Sequence, residues 1–116
     1  MRMIAIGAAV AFAQAAAAQD VGGEYLVRGT GLNGAAYGGT ARITPTSDVT
    51  CRIVWNTGGQ TSDGICMRQG NVFAAAYVID GRTGMVIYTV MGDGAMEGTW
   101  TIAGSDAAGT ESLFPN

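Results

Sequence analysis

The stretch TCRIVWNTGGQTSDGICM, Thr50 to Met67, decides the fold. Its first half alternates Cys51, Ile53 and Trp55 with Arg52, Val54 and Asn56, the period of two that puts one set of side chains on each face of a strand. Gly58-Gly59 follows, a dipeptide that accepts the positive φ angles of a two-residue hairpin turn. If that turn forms, residues whose numbers sum to 117 stand opposite one another, and Cys51 falls against Cys66. The hairpin therefore predicts its own disulfide. A bulge near Gly64 would shift this pairing.

Outward from this hairpin the same grammar repeats. Short β-rich runs cover residues 23–29, 37–44, 50–56, 61–67, 72–79, 84–91, 96–103 and 109–114, and almost no helical periodicity is present after residue 18. Asn33-Gly34, Asp80-Gly81 and Asp93-Gly94 punctuate them with tight-turn chemistry. Turns this short join neighbouring antiparallel strands into a meander of about eight. Such a sheet has exposed edges unless it closes, so an up-and-down barrel is expected, with a two-layer sandwich as the alternative. A weak internal echo relates Tyr25, Val27, Asn33-Gly34, Gly39-Thr40 and Ile43 to Tyr88, Val90, Asp93-Gly94, Gly98-Thr99 and Ile102, as two hairpins of one curled sheet.

The first 18 residues stand apart. Met1-Arg2 gives a short positive start, Met3 to Phe12 an apolar stretch, and Ala16-Ala17-Ala18 the small-x-small pattern of a signal-peptidase site, with Gln19 as the new N-terminus. Polar Gln14 interrupts the stretch, and a bilayer span takes roughly 20 apolar residues. The expectation is a signal peptide over 1–18, one β domain over 19–116, no membrane span in the mature form, and a periplasmic or secreted location. Oxidised cysteines suit that compartment.

The mature part holds five arginines against nine carboxylates, and the chain has no lysine or histidine. The arginines are scattered singly, so nothing resembles the clustered positive charge that nucleic acid or an anionic membrane requires. Without histidine or lysine, no Ser-His, Cys-His or Ser-Lys pair can be assembled. Asp63, Asp80, Asp93, Glu97, Asp106 and Glu111 fall at turns or on polar faces and are expected to be solvated. No metal-ligand or cofactor motif is present in the sequence. The composition points to a binding module rather than an enzyme.

Two features suggest where binding occurs. Residues 72–79 and 84–91 are apolar on both alternating sets, so a stripe two strands wide is left outside whichever set fills the core. In a register summing to 161, Phe73, Tyr77, Val86 and Tyr88 share one face, the candidate surface for a protein partner or self-association. The second feature is Tyr25, Trp55, Met96 and Trp100, which form either ordinary core or the lining of a small apolar-ligand pocket.

Gly23-Glu24-Tyr25 and Gly98-Thr99-Trp100 resemble strand motifs of lipocalin-like and avidin-like barrels, with Tyr25 in place of the usual tryptophan; the resemblance implies a ligand cup. Over nearly the whole mature chain, Tyr25-x-Val27-x-Gly29, Tyr37-x-Gly39-Thr40, Thr50 to Gly58, Gly64 to Phe73 and Gly94 to Gly104 resemble a family of small exported bacterial β-proteins, some labelled fibronectin-binding protein. That resemblance implies an adhesive surface module and assigns no binding residues.

Overall fold

A computed structural model describes residues 21–116. The expected signal peptide lies outside the described residues. Eight strands follow in chain order: β1 (Gly23–Thr30), β2 (Ala36–Pro45), β3 (Thr50–Thr57), β4 (Gln60–Gln69), β5 (Val72–Ile79), β6 (Arg82–Val90), β7 (Met96–Ile102) and β8 (Gly109–Pro115). Each pairs antiparallel with its sequence neighbours, and β1 pairs with β8 from Tyr25↔Pro115 to Thr30↔Thr110, closing the barrel. Closure leaves no unpaired edge, so the sandwich alternative is excluded.

The register of β3 and β4 runs unbroken from Thr50↔Met67 to Thr57↔Gln60, with no shift at Gly64. Cys51 and Cys66 are directly opposed, 4.9 Å apart at Cα, and disulfide-bonded. Gly58 and Gly59 both take positive φ, 59° and 78°, as do Asp80 and Gly81 at 52° and 74°. These turns match the strong twist of the flanking strands. Asn33-Gly34 and Asp93-Gly94 depart from the expected two-residue turns. Each sits in a five-residue loop, and the loops are equivalent. Gly31 N–H and Met91 N–H donate to the carbonyls of Ala35 and Ala95, both at 2.7 Å. The Asn33 and Asp93 side chains accept from the amides of Ala35 and Ala95, both at 3.0 Å. The internal echo is thus one turn used twice, with Gly34 and Gly94 both at φ 86°.

The two ends of the barrel differ. At the end where β1 begins, Val27, Ile43, Ile53, Phe73, Met96 and Leu113 fill the interior, each no more than 2% exposed. Tyr25 closes this end from within, its hydroxyl donating to the Val21 carbonyl at 2.7 Å. At the other end the interior is not filled.

Replacing both Cys51 and Cys66 with alanine is expected to lower unfolding free energy by about 3 kcal/mol, the chain-entropy value for a loop of this length. Chemical denaturation of the oxidised protein and the double variant measures it; a loss well under 1 kcal/mol would show that the hairpin is held without the bridge.

Candidate functional site

The unfilled end is a cavity of about 370 Å³, lined by aromatic and aliphatic side chains with a few polar groups at its floor and rim. Why it stays open is written in the pairing of rings with glycines. Tyr37 faces Gly29, Tyr77 faces Gly84, Trp100 faces Gly109 and Tyr88 faces Gly98 across neighbouring strands. A Cβ on Gly84 would lie 2.3 Å from the Tyr77 ring, and one on Gly109 would lie 2.5 Å from Trp100 Nε1. Each ring lies over a glycine and hugs the wall instead of crossing the lumen.

The floor is Glu111 of β8. The residue is 7% exposed, and its carboxylate accepts hydrogen bonds from three strands: Tyr37 of β2 at 2.6 Å, Trp55 of β3 through Nε1 at 2.9 Å, and Tyr88 of β6. Tyr37 and Tyr88 reach it along the wall, over the glycines Gly29 and Gly98 that stand beside Glu111, and Trp55 reaches it from β3. A buried carboxylate needs such donors, since an unmet one carries a large desolvation cost. Burial first, and then the neighbouring Glu111 charge, push the Tyr37 and Tyr88 phenols well above the usual tyrosine range. The same two causes push Tyr77 up to about 12. All three therefore keep their protons, which is what a donor requires.

Two aromatic pairs form the walls. Trp55 and Tyr77 meet edge-on with centroids 5.1 Å apart, and Tyr37 and Trp100 do so at 6.3 Å. Trp100 Nε1 donates to the Thr30 carbonyl at 3.2 Å, which fixes its ring against β1. Gln60, Asp80 and Arg82 stand at the rim. Arg82 donates through Nε and Nη2 to the Ala103 carbonyl, bracing the last loop.

Among the sequence candidates, Trp55 and Trp100 line the cavity, while Tyr25 and Met96 belong to the packed end. The expected interaction surface requires correction. Phe73, Val86 and Tyr88 are at most 3% exposed and point inward, and Tyr77 lines the cavity. The register summing to 161 is present, with Phe73↔Tyr88 and Ala75↔Val86, but its large rings turn into the barrel, where they bury the most area. The opposite set lies outside. Ile65, Met67, Val78, Met85 and Ile87 are each at least 55% exposed, forming a stripe over β4, β5 and β6.

Glu111 also departs from expectation, since it is buried rather than solvated. The signal was available: along β8 it shares the face of Gly109 and Leu113, while Thr110, Ser112 and Phe114 share the other. Among the described residues, no group of three or more His, Cys, Asp or Glu side chains is placed to hold a metal ion. No helix there is long and apolar enough to cross a membrane.

No family model matches the sequence, and no curated protein matches it. Similar solved structures are barrels. A redesigned β-barrel, mFAP1, bound to DFHBI has a TM-score of 0.70 at 19% identity, covering 84% of this chain and 96% of that one. EF1p2_mFAP2b bound to DFHBI has a TM-score of 0.68 at 18% identity, covering 89% and 99%. The fluorescent protein UnaG has a TM-score of 0.54 at 10% identity, covering 82% and 96%. At these identities the likeness shows the fold alone.

Because Tyr37, Tyr77 and Tyr88 have raised phenol pKa values in the folded state, their contribution to stability is complete below about pH 10, the unfolded value, and is lost as pH rises beyond it. The melting temperature is expected to hold up to pH 9 and then fall, and for Tyr77 the loss extends over pH 10 to about 12. Phenolate absorbance measured alongside should stay well short of the four-tyrosine total until the chain unfolds. Ionisation of all four near pH 10 in folded protein would contradict the placement of these rings.

Proposed function

We propose that this chain is an exported, non-catalytic barrel that binds a small, largely apolar ligand in the cavity above Glu111. The observation that carries this reading is the asymmetry of the interior. One end is packed with fully buried side chains, while the other holds about 370 Å³ walled in part by rings lying over glycines. That volume falls within the usual range of ligand sites, which combine apolar walls with a few placed polar groups. The DFHBI-bound barrels of the same fold support the use of such an interior for a small molecule. The absence of histidine and lysine supports a non-catalytic role, and the signal-peptide pattern together with the Cys51–Cys66 bridge supports export.

A second reading, association of two copies, is favoured by the outer stripe. Ile65 and Met85 flank Ala76, and Met67 and Ile87 flank Ala74, in two cross-strand rows. The rows form a shallow apolar trough between large side chains, of the kind that marks contact surfaces. The adhesive role implied by the fibronectin-binding label would use an outer surface such as this one.

The two readings are tested separately. The chain has two tryptophans, and both line the cavity, so a bound ligand is expected to change their fluorescence. At a hundredfold excess over its dissociation constant it should add about 2.7 kcal/mol of stability. Native mass spectrometry of protein from an oxidising compartment, followed by a broad panel of apolar and aromatic metabolites, measures both effects. A ligand-free mass with no response across the panel would remove the carrier reading. For the outer stripe, sedimentation velocity is expected to show a dimer that Met85→Glu converts to monomer with the melting temperature changed by only a few degrees; a monomeric parent chain at high concentration removes the second reading.

A further inference from the structure

We infer that the cavity selects a planar, uncharged aromatic molecule that enters edge-first and gives a hydrogen-bond donor to Glu111. The inference rests on the ligand-binding reading above and specifies the class of ligand.

Shape is the first ground. In a closed ring of eight strands, the β8–β1 wall stands across from the β4–β5 wall. The Tyr37–Trp100 pair covers the first, its rings lying over Gly29 and Gly109. The Trp55–Tyr77 pair covers the second, spanning β4 from β3 to β5, with Tyr77 lying over Gly84 of β6. Two aromatic pairs on opposed walls thus bound the cavity. A flat ring system meets such walls by stacking or edge contact, which adds to simple area burial; a flexible chain gains less and loses more rotamer freedom.

Hydrogen-bond capacity is the second. Each carboxylate oxygen offers two lone pairs. Oε2 of Glu111 accepts from both Trp55 and Tyr88, while Oε1 accepts its side-chain hydrogen bond from Tyr37 alone. Glu111 and Tyr37 both line the cavity, and the oxygen with spare capacity is the one that Tyr37 holds. What it lacks is an N–H or O–H. Nearby, the Ser62 and Tyr77 hydroxyls both border the cavity, and neither makes a side-chain hydrogen bond within the described chain, so polar atoms along the ligand edge can find a partner there.

Charge is the third. Among the described residues the cavity holds one cation, Arg82, and it sits at the rim bound to the Ala103 carbonyl. An anionic head group sent to the floor would meet an acceptor instead of a donor.

The experiment is calorimetric titration of the oxidised chain at pH 7 with four probes: 2-naphthol, 2-methoxynaphthalene, 2-naphthoate and 1-decanol. The expected result is that 2-naphthol binds about tenfold or more tightly than each of the others, the size of effect one hydrogen bond to a charged group gives. Glu111→Gln should reduce 2-naphthol affinity about tenfold more than it reduces that of 2-methoxynaphthalene. The comparison of probes on the unaltered chain stands even where that variant does not fold. Equal binding of 2-naphthol and its methyl ether overturns the donor assignment, and tighter binding of 2-naphthoate overturns the requirement for an uncharged ligand. Tighter binding of 1-decanol overturns planarity while leaving the ligand-binding reading in place. If no probe binds but the metabolite panel gives a response, this inference alone fails; if neither gives a response, both fail.

Discussion

A carboxylate taken out of water must be met by donors, and the three that meet Glu111 come from three different strands. That constraint organises the interior. It ties β8 to β2, β3 and β6, none of which pairs with it, and it fixes the orientation of two of the rings that wall the cavity. It also sets the depth to which the cavity reaches. A buried acid used this way contributes little net stability compared with an apolar side chain of the same size. Its effect is to define a single arrangement of the rings around it, because any other arrangement leaves a donor or an acceptor unmet.

The glycines act on the same rings from the other side. Rings of this size would ordinarily fill a barrel of eight strands. Placed opposite residues without side chains, they settle against the wall and the lumen stays free. Gly98 shows how tight the arrangement is: a Cβ there would lie 2.2 Å from the Ile87 carbonyl oxygen and 2.9 Å from the Tyr88 ring. The same glycines let the backbone turn sharply enough for the sheet to close, so the device that makes the barrel also makes the space within it.

Much of the fold was legible from local chemistry. Each of the eight runs falls within two residues of an observed strand boundary, because alternation and turn residues are written locally. The Gly58-Gly59 and Asp80-Gly81 registers followed from turn length alone. The sidedness of β5 and β6 did not. When both alternating sets are apolar, nothing within a strand states which one faces the core; the answer depends on closure, and closure is a property of all eight strands. Phe73 and Tyr88 went inward because large rings gain most from the interior, leaving Met85 and Ile87 outside. Glu111 was misread for a different reason. Its charge outweighed its position in the alternation of β8, and the donors that make its burial tolerable lie 23 to 74 residues away in sequence.

The partition made by Glu111 has a consequence for how such a molecule can change. Below it, Ile43, Ile53, Phe73, Met96 and Leu113 are wholly enclosed, and an alteration there is felt as a void or a clash. Above it, Leu32, Ile79 and Ile102 border the cavity. On the proposed ligand-binding reading, foldedness and recognition are thus drawn from different residues of one small barrel. Variation above the partition would then retune what the molecule accepts without touching the half that holds it together.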